Sequence, residues 1–314
     1  MALIRSCGPD WLDAKLNAGG ILIIDGAMGT ELEARGVPMH AQAWSAAAIK
    51  THPDVVRSTH ADYIRAGARV IIANTFSTGR HMLEPAGLGD EVAVINRNAV
   101  KLAKEARDLA ADEPVAIAGS ICDWVFTESE WCDPQNLSAS LREQAQLLAE
   151  AGVDLIALEM CQTEVGSPLA VEAALSTGLP TWLGLSCKSH PETGQLVTFD
   201  EPSMDFEAWV AKLAAYDVSM INVMHSPIED VTKGLGAVKR HWSGPIGAYP
   251  ESGYFIMPNW QFVDVVAPDD LVREAETWVS DGVQILGGCC GLGPQHVSAL
   301  REAFAYGECR PKLP

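Results

Sequence analysis

The residues best suited to do chemistry sit in one short stretch, Gly287-Gly288-Cys289-Cys290-Gly291, directly after the apolar run Val283–Leu286. Glycines let the backbone turn tightly and let another group approach it closely. Adjacent cysteines rarely bond to each other in a relaxed geometry, so the pair reads as ligand or nucleophile rather than as a staple. Two small thiols also suit a buried apolar turn. Which role they have depends on where the fold puts them.

Short apolar runs alternate with longer amphipathic stretches from one end of the chain to the other. The runs are Ile21–Asp25, Arg69–Asn74, Val115–Ser120, Asp154–Glu159, Thr181–Ser186, Ser219–Val223, Pro245–Tyr249 and Val283–Leu286. Helical spacing lies between them, near Asp54–Ala66, Asp90–Ala111, Ser138–Ala151, Val165–Thr177, Ser203–Asp217, Ile228–His241 and Pro268–Ser280, with a last helix opened by Pro294. Strands this apolar are buried on both faces, which indicates a parallel sheet covered by helices. Eight strand–helix units predict an α/β fold, a single (β/α)8 TIM barrel over residues 1–314 with a short N-terminal extension, 1–20. An open doubly wound sheet is the alternative. The turn Asp25-Gly26-Ala27-Met28-Gly29-Thr30 lacks the dinucleotide spacing that fold usually carries. Trp124–Pro134 and Glu251–Val266 are the longest irregular stretches.

The chain is 48% hydrophobic and has 41 acidic against 22 basic residues, a net charge of −19. That excess argues against nucleic acid or an anionic membrane surface as partner. Met1–Asp10 has no apolar signal core and no stretch reaches a spanning length, so a cytoplasmic protein is expected. Eight cysteines in a chain this long do not make a disulfide scaffold; in a reducing compartment they are thiols or metal ligands.

In such a barrel the chemistry lies at the C-terminal strand ends. There the sequence places Asp25-Gly26, Asn74-Thr75, Cys122-Asp123, Glu159-Met160-Cys161, Cys187, Asn222 to His225, Glu251 and the Cys289-Cys290 pair. Five of the eight cysteines gather at these ends, which favours a functional role for the pair. Thiolates in a barrel mouth suit Zn²⁺, which in catalytic sites keeps three protein ligands and one open position. An open position on the cation holds a substrate thiol as thiolate, the form that thiol alkylation needs. An acid at a strand end, Glu159 or Asp25, suits the ammonium group of such a substrate.

From Ile21 to Ala303 the chain resembles the homocysteine S-methyltransferase family of zinc-dependent barrels. The resemblance rests on Ile24 to Leu32, Ala66-Gly67-Ala68 with Ala73 to Phe76, Ala118-Gly119-Ser120, Ala151 to Asp154 with Glu159, Tyr249-Pro250 with Ser252-Gly253, and Gly287 to Gly291 with Pro294 and His296. It implies an S-methyltransferase that makes methionine from homocysteine. It implies zinc on Cys289 and Cys290, and an amino acid subsite at Asp25, Gly26 and Glu159, with Asn74 and Thr75 lining the same mouth. It implies a small-molecule thiol and a methyl donor as partners, the donor being a sulfonium, a quaternary ammonium, a folate or a corrinoid. A homo-oligomer or a corrinoid protein partner is compatible with it.

The chain departs from the family at the third zinc ligand, a cysteine after strand six. Here Met220-Ile221-Asn222-Val223-Met224-His225 puts Val223 at that position, and valine cannot bind a metal. Three readings follow. A neighbour substitutes, His225 or Met224 in the same turn, or Cys187 or Cys161 at neighbouring strand ends. Otherwise a divergent barrel with an altered or absent zinc site acts on another thiol or methylated substrate, or the protein binds small molecules without catalysis. His225 is the best zinc donor by chemistry. Glu251 replaces the family's usual asparagine. Trp124, Trp131 and Tyr254 are candidates for an aromatic cage around a methylated cation. His296 is expected to pack rather than bind metal, and Cys7 and Cys309 to be ordinary thiols.

Overall fold

The computed structural model describes residues 5–125, 129–200 and 203–304. Phe126 and Cys309 lie outside the described residues. Eight parallel strands form one sheet: β1 (Leu22–Ile23), β2 (Val70–Ala73), β3 (Ala116–Ile121), β4 (Leu155–Leu158), β5 (Thr181–Leu185), β6 (Met220–Pro227), β7 (Ile246–Glu251) and β8 (Ile285–Leu286). Their order is β1, β8, β7, β6, β5, β4, β3, β2, and a parallel bridge from Ile24 to Val70 brings the two edge strands together. Helices such as Pro53–Ala66, Val92–Ala110, Pro134–Ala151 and Ile228–His241 connect the strands. The expected (β/α)8 barrel is the fold of this chain.

Alternation along each strand sorts its side chains to opposite faces. Ala116, Ala118, Leu155, Ala157, Met220 and Met224 fill the barrel interior. Ile117, Ile156, Ile221 and Val223 join the cluster between strands and helices. Both faces are apolar, so the strands read in sequence as continuous apolar runs. The helix Asp10–Asn17 contributes Leu12 and Leu16 to the interior cluster. Trp182 Nε1 donates to the Cys7 carbonyl at 2.7 Å and Gln284 Nε2 to that of Leu16 at 2.8 Å, which fixes this plug in place. Burial, with Asp13 nearby, pushes the Cys7 thiol up to about 12, so it is inert.

Among the differences from the sequence expectation, three concern the stretches around the barrel mouth. The helix expected from Ser138 begins at Pro134, because the Asp133 side chain accepts from the N–H groups of Gln135 and Asn136 and proline suits the first turn. The stretch Glu251–Val266 contains an antiparallel hairpin, Tyr254–Ile256 with Asn259–Gln261. Tyr254–Ile256 is exposed throughout, so no in–out alternation marks it as a strand. A second hairpin, Cys187–Ser189 with Leu196–Thr198, follows β5. Among the described residues no helix is long and apolar enough to cross a membrane.

His60, on the helix Pro53–Ala66, is fully buried, and among the described residues neither ring nitrogen has a hydrogen-bond partner. Burial pulls it from its ordinary 6.5 down to about 3. Unfolded chains therefore take up a proton below pH 6.5 that the folded chain refuses, and stability falls as the pH drops through that window. His60→Leu is expected to leave stability at pH 8 nearly unchanged and to recover about 2 kcal/mol at pH 5, read from urea midpoints.

Candidate active site

The strand ends enclose a cavity of about 430 Å³. Cys289 and Cys290 line it, each nearly buried. Main-chain bonds fix their turn: Gly288 N–H donates to the Asp25 carbonyl at 3.2 Å, Cys289 N–H to that of Pro250 at 2.7 Å, and Ser252 N–H to that of Cys290 at 2.9 Å. Gly291 closes the turn at φ +82, and a Cβ there would meet the Ser252 carbonyl oxygen at 1.9 Å. Both facts demand glycine.

His225 reaches the same place from β6. Met220 and Met224 face the interior while Ile221 and Val223 face the helices, so regular alternation would send His225 outward. A register irregularity between Met224 and Pro227 and a left-handed backbone at His225, φ +43, turn it into the cavity instead. Ser226 holds the irregularity: its hydroxyl donates to the Met224 carbonyl at 2.8 Å and accepts the Cys187 N–H at 2.9 Å. His225 Nδ1 then lies 3.5 Å from Cys289 Sγ, and the two sulfurs are 4.0 Å apart. One donor atom from each of His225, Cys289 and Cys290 falls within 4.8 Å of the others. On its far side His225 Nε2 is 3.2 Å from Glu251 Oε2.

The charges here are coupled. The Cys290 thiol and His225 hold the Cys289 thiol well below its ordinary value, against burial, while Cys290 is pushed up by its neighbour's charge and by burial. Burial alone would lower His225, but Glu251 and Cys289 lift it to about 9. Burial raises Glu251, and His225 pulls it part of the way back. Burial and then the charge of Cys289 push Glu159 up to about 7.

The other expected site residues divide. Gly26, Asn74 and Glu159 line the cavity. Glu159 accepts the Ser120 hydroxyl. Asn74 is bound reciprocally to Ser45, through its Oδ1 at 2.8 Å and its Nδ2 at 3.0 Å. Asp25 is buried beside them; its Oδ2 accepts the Ile72 N–H at 2.8 Å, and among the described residues its Oδ1 has no hydrogen-bond partner. Thr75 does not reach the cavity, because its hydroxyl exchanges hydrogen bonds of 2.9 Å with the main chain of Ser120. Cys187 does not join the cysteine pair either. Its sulfur points outward to the helix Ile228–His241, 3.8 Å from the Asp230 carbonyl, and burial pushes it up to about 12. Val223 packs on the same helix at Gly234. Cys161 belongs to the outer core. His296 packs as expected, its Nε2 2.8 Å from the Val266 carbonyl oxygen.

Of the aromatic residues singled out from sequence, Trp124 and Tyr254 line the cavity; Trp131 does not. Trp44, Phe76, Phe199, Phe255 and Trp260 also line it, as does Asp200. Trp44 packs edge-on to Phe76 and Phe255 at 6.0 and 6.2 Å. These residues come from loops and hairpins, where no hydrophobic period announces them.

Two buried thiols and an imidazole meet at the C-terminal mouth of the barrel beside a carboxylate, a donor set able to hold a metal ion. The family model described as Homocysteine S-methyltransferase matches residues 22–304, and the chain belongs to that family. It is an S-methyltransferase. Homocysteine S-methyltransferase 3 of Zea mays is 27% identical over 97% of this chain and 95% of its own length. Homocysteine S-methyltransferase of Escherichia coli is 29% identical over 92% of this chain and 97% of its own. The crystal structure of the E. coli homocysteine methyltransferase MmuM in its metallated form superposes with a TM-score of 0.74 at 25% identity, covering 93% of this chain and 99% of that one.

Gly291→Ala combines a left-handed backbone with a clash against main chain, which cannot swing aside as a side chain can. It is expected to lose about 3 kcal/mol or more of stability, read as a lowered denaturation midpoint.

Proposed function

We propose that this chain methylates homocysteine to methionine at a zinc ion held by His225, Cys289 and Cys290, using a small cationic methyl donor. One observation carries the reading: the three donors converge on one point. Tetrahedral zinc, with Zn–S of about 2.3 Å and Zn–N of about 2.0–2.1 Å, sets its donors about 3.5–3.8 Å apart. The contacts of 3.5 and 4.0 Å are within a few tenths of an ångström of that, and the third pair, His225 and Cys290, lies within 4.8 Å. Zinc there supplies the positive charge that keeps a substrate thiol ionised near neutral pH.

The chain's own groups do the rest. Glu159, at the cavity wall, is placed to take the ammonium of the amino acid, whose charge offsets that of Cys289. Glu159, Asp200 and Glu251 line the cavity, and among the described residues no lysine or arginine does. Such a lining selects a cation and disfavours an anionic folate. Aromatic faces around it suit a methyl group on positive sulfur or nitrogen. A cavity of about 430 Å³ fits a small molecule. Transfer makes the new S–CH3 bond as the donor's bond to carbon breaks, and the leaving pair neutralises the donor's charge. The neutral product then loses its attraction to the carboxylates.

Protein prepared without chelator is expected to hold roughly one zinc per chain. That zinc is expected to go with His225→Ala, Cys289→Ala or Cys290→Ala and to stay with Cys187→Ala; an active wild type without metal contradicts the reading. Methionine is expected from a methylsulfonium or quaternary ammonium donor, and none from methylfolate. Glu159→Gln is expected to lower kcat/KM for homocysteine about 10–100-fold. A thiol of equal length without the amino group should be nearly unaffected; an equal loss for both thiols would remove Glu159 from ammonium binding.

A further inference from the structure

We propose that Glu251 is a positioning residue for His225, selecting the tautomer that carries its proton on Nε2 and presents the Nδ1 lone pair to the cysteine pair. The proposal rests on the donor set given above and goes one step behind it.

An imidazole between two groups must decide which nitrogen is the donor atom. Nδ1 of His225 faces Cys289 Sγ at 3.5 Å and Nε2 faces Glu251 Oε2 at 3.2 Å. Phe199 and Trp260 flank the ring with centroids 5.0 and 6.1 Å away. These aromatic neighbours restrict the ring plane but cannot tell one nitrogen from the other. Only a polar partner can: with both thiols committed to the cation, the carboxylate next to Nε2 is the acceptor left for the proton.

Glu251 is nearly buried, and among the described residues its Oε2 has no hydrogen bond; its contact with His225 Nε2 is close without being aligned as one. A buried carboxylate oxygen without a donor is costly unless it has a use. The strand ladder puts it there: Pro227 pairs with Glu251 across the irregularity that turns His225 inward. One feature of β6 thus delivers both the imidazole and its partner. Metal-binding histidines characteristically donate their other N–H to such a group, which fixes the ring and raises its basicity. Two thiolates and a neutral imidazole around a divalent cation sum to zero, and Glu251 makes the assembly singly negative.

The test uses the full chain and zinc itself. Imidazole nitrogen shifts of the zinc-loaded wild type are expected to show Nε2 protonated and Nδ1 metal-bound; the reverse tautomer overturns the proposal without recourse to any variant. Zinc affinity by chelator competition is expected to fall about 10–100-fold in Glu251→Ala. Glu251→Gln, which keeps an acceptor, should recover most of that loss. Cobalt loaded in place of zinc should show shifted d–d bands in Glu251→Ala. Wild-type affinity and spectrum in Glu251→Ala overturn the positioning role and leave the donor set standing. Wild-type affinity in His225→Ala overturns both.

Discussion

His225 sits in the left-handed backbone region, which β-strand residues other than glycine avoid. Holding it there costs of order 1–3 kcal/mol. The surroundings over-determine the conformation. Ser226 ties the irregular turn to Met224 and Cys187, and Phe199 and Trp260 flank the ring. Without that strain the side chain would follow Val223 toward the helices, and the mouth would keep two sulfurs and no imidazole. Cys187 serves this arrangement through its backbone N–H, while its thiol stays in the outer core.

The cysteine turn meets the opposite constraint. Its backbone must pass so close to other main chain that side chains are excluded, at Gly291 against Ser252 and at Gly26 against Leu292. Close packing puts the pair under the ends of β1, β7 and β8 at once. It also buries the pair, and a buried charge counts for more. Cys289, His225, Glu251 and Glu159 therefore influence one another's ionisation. Carboxylates and aromatic rings share the wall of this cavity.

Much of this was legible from residue order. Eight apolar runs separated by helical stretches specify a barrel because each strand is buried on both faces. Thiols and acids at the run ends mark the mouth, since the fold gathers those ends. Glu159, Gly26, Asn74 and the cysteine pair all reach it. Thr75 was misplaced because adjacent residues at a strand end point to opposite sides. The aromatic wall was only partly visible: Trp44 and Phe199 sit on irregular segments with no period to read.

The sequence by itself determined the barrel and the family, and it singled out the cysteine pair, because these depend on local patterns: burial periodicity, glycine at tight approaches, and adjacent thiols. It also revealed that the position of the usual third donor is a valine. Which strand-end neighbour comes to lie beside the cysteine pair was decided only in three dimensions. His225 and Cys187 are equally near in the list of strand ends. One irregular turn in β6 sends the imidazole inward, and regular packing sends the Cys187 thiol outward. A side chain's direction there depends on backbone torsions and on partners tens of residues away, and neither is written in the local pattern.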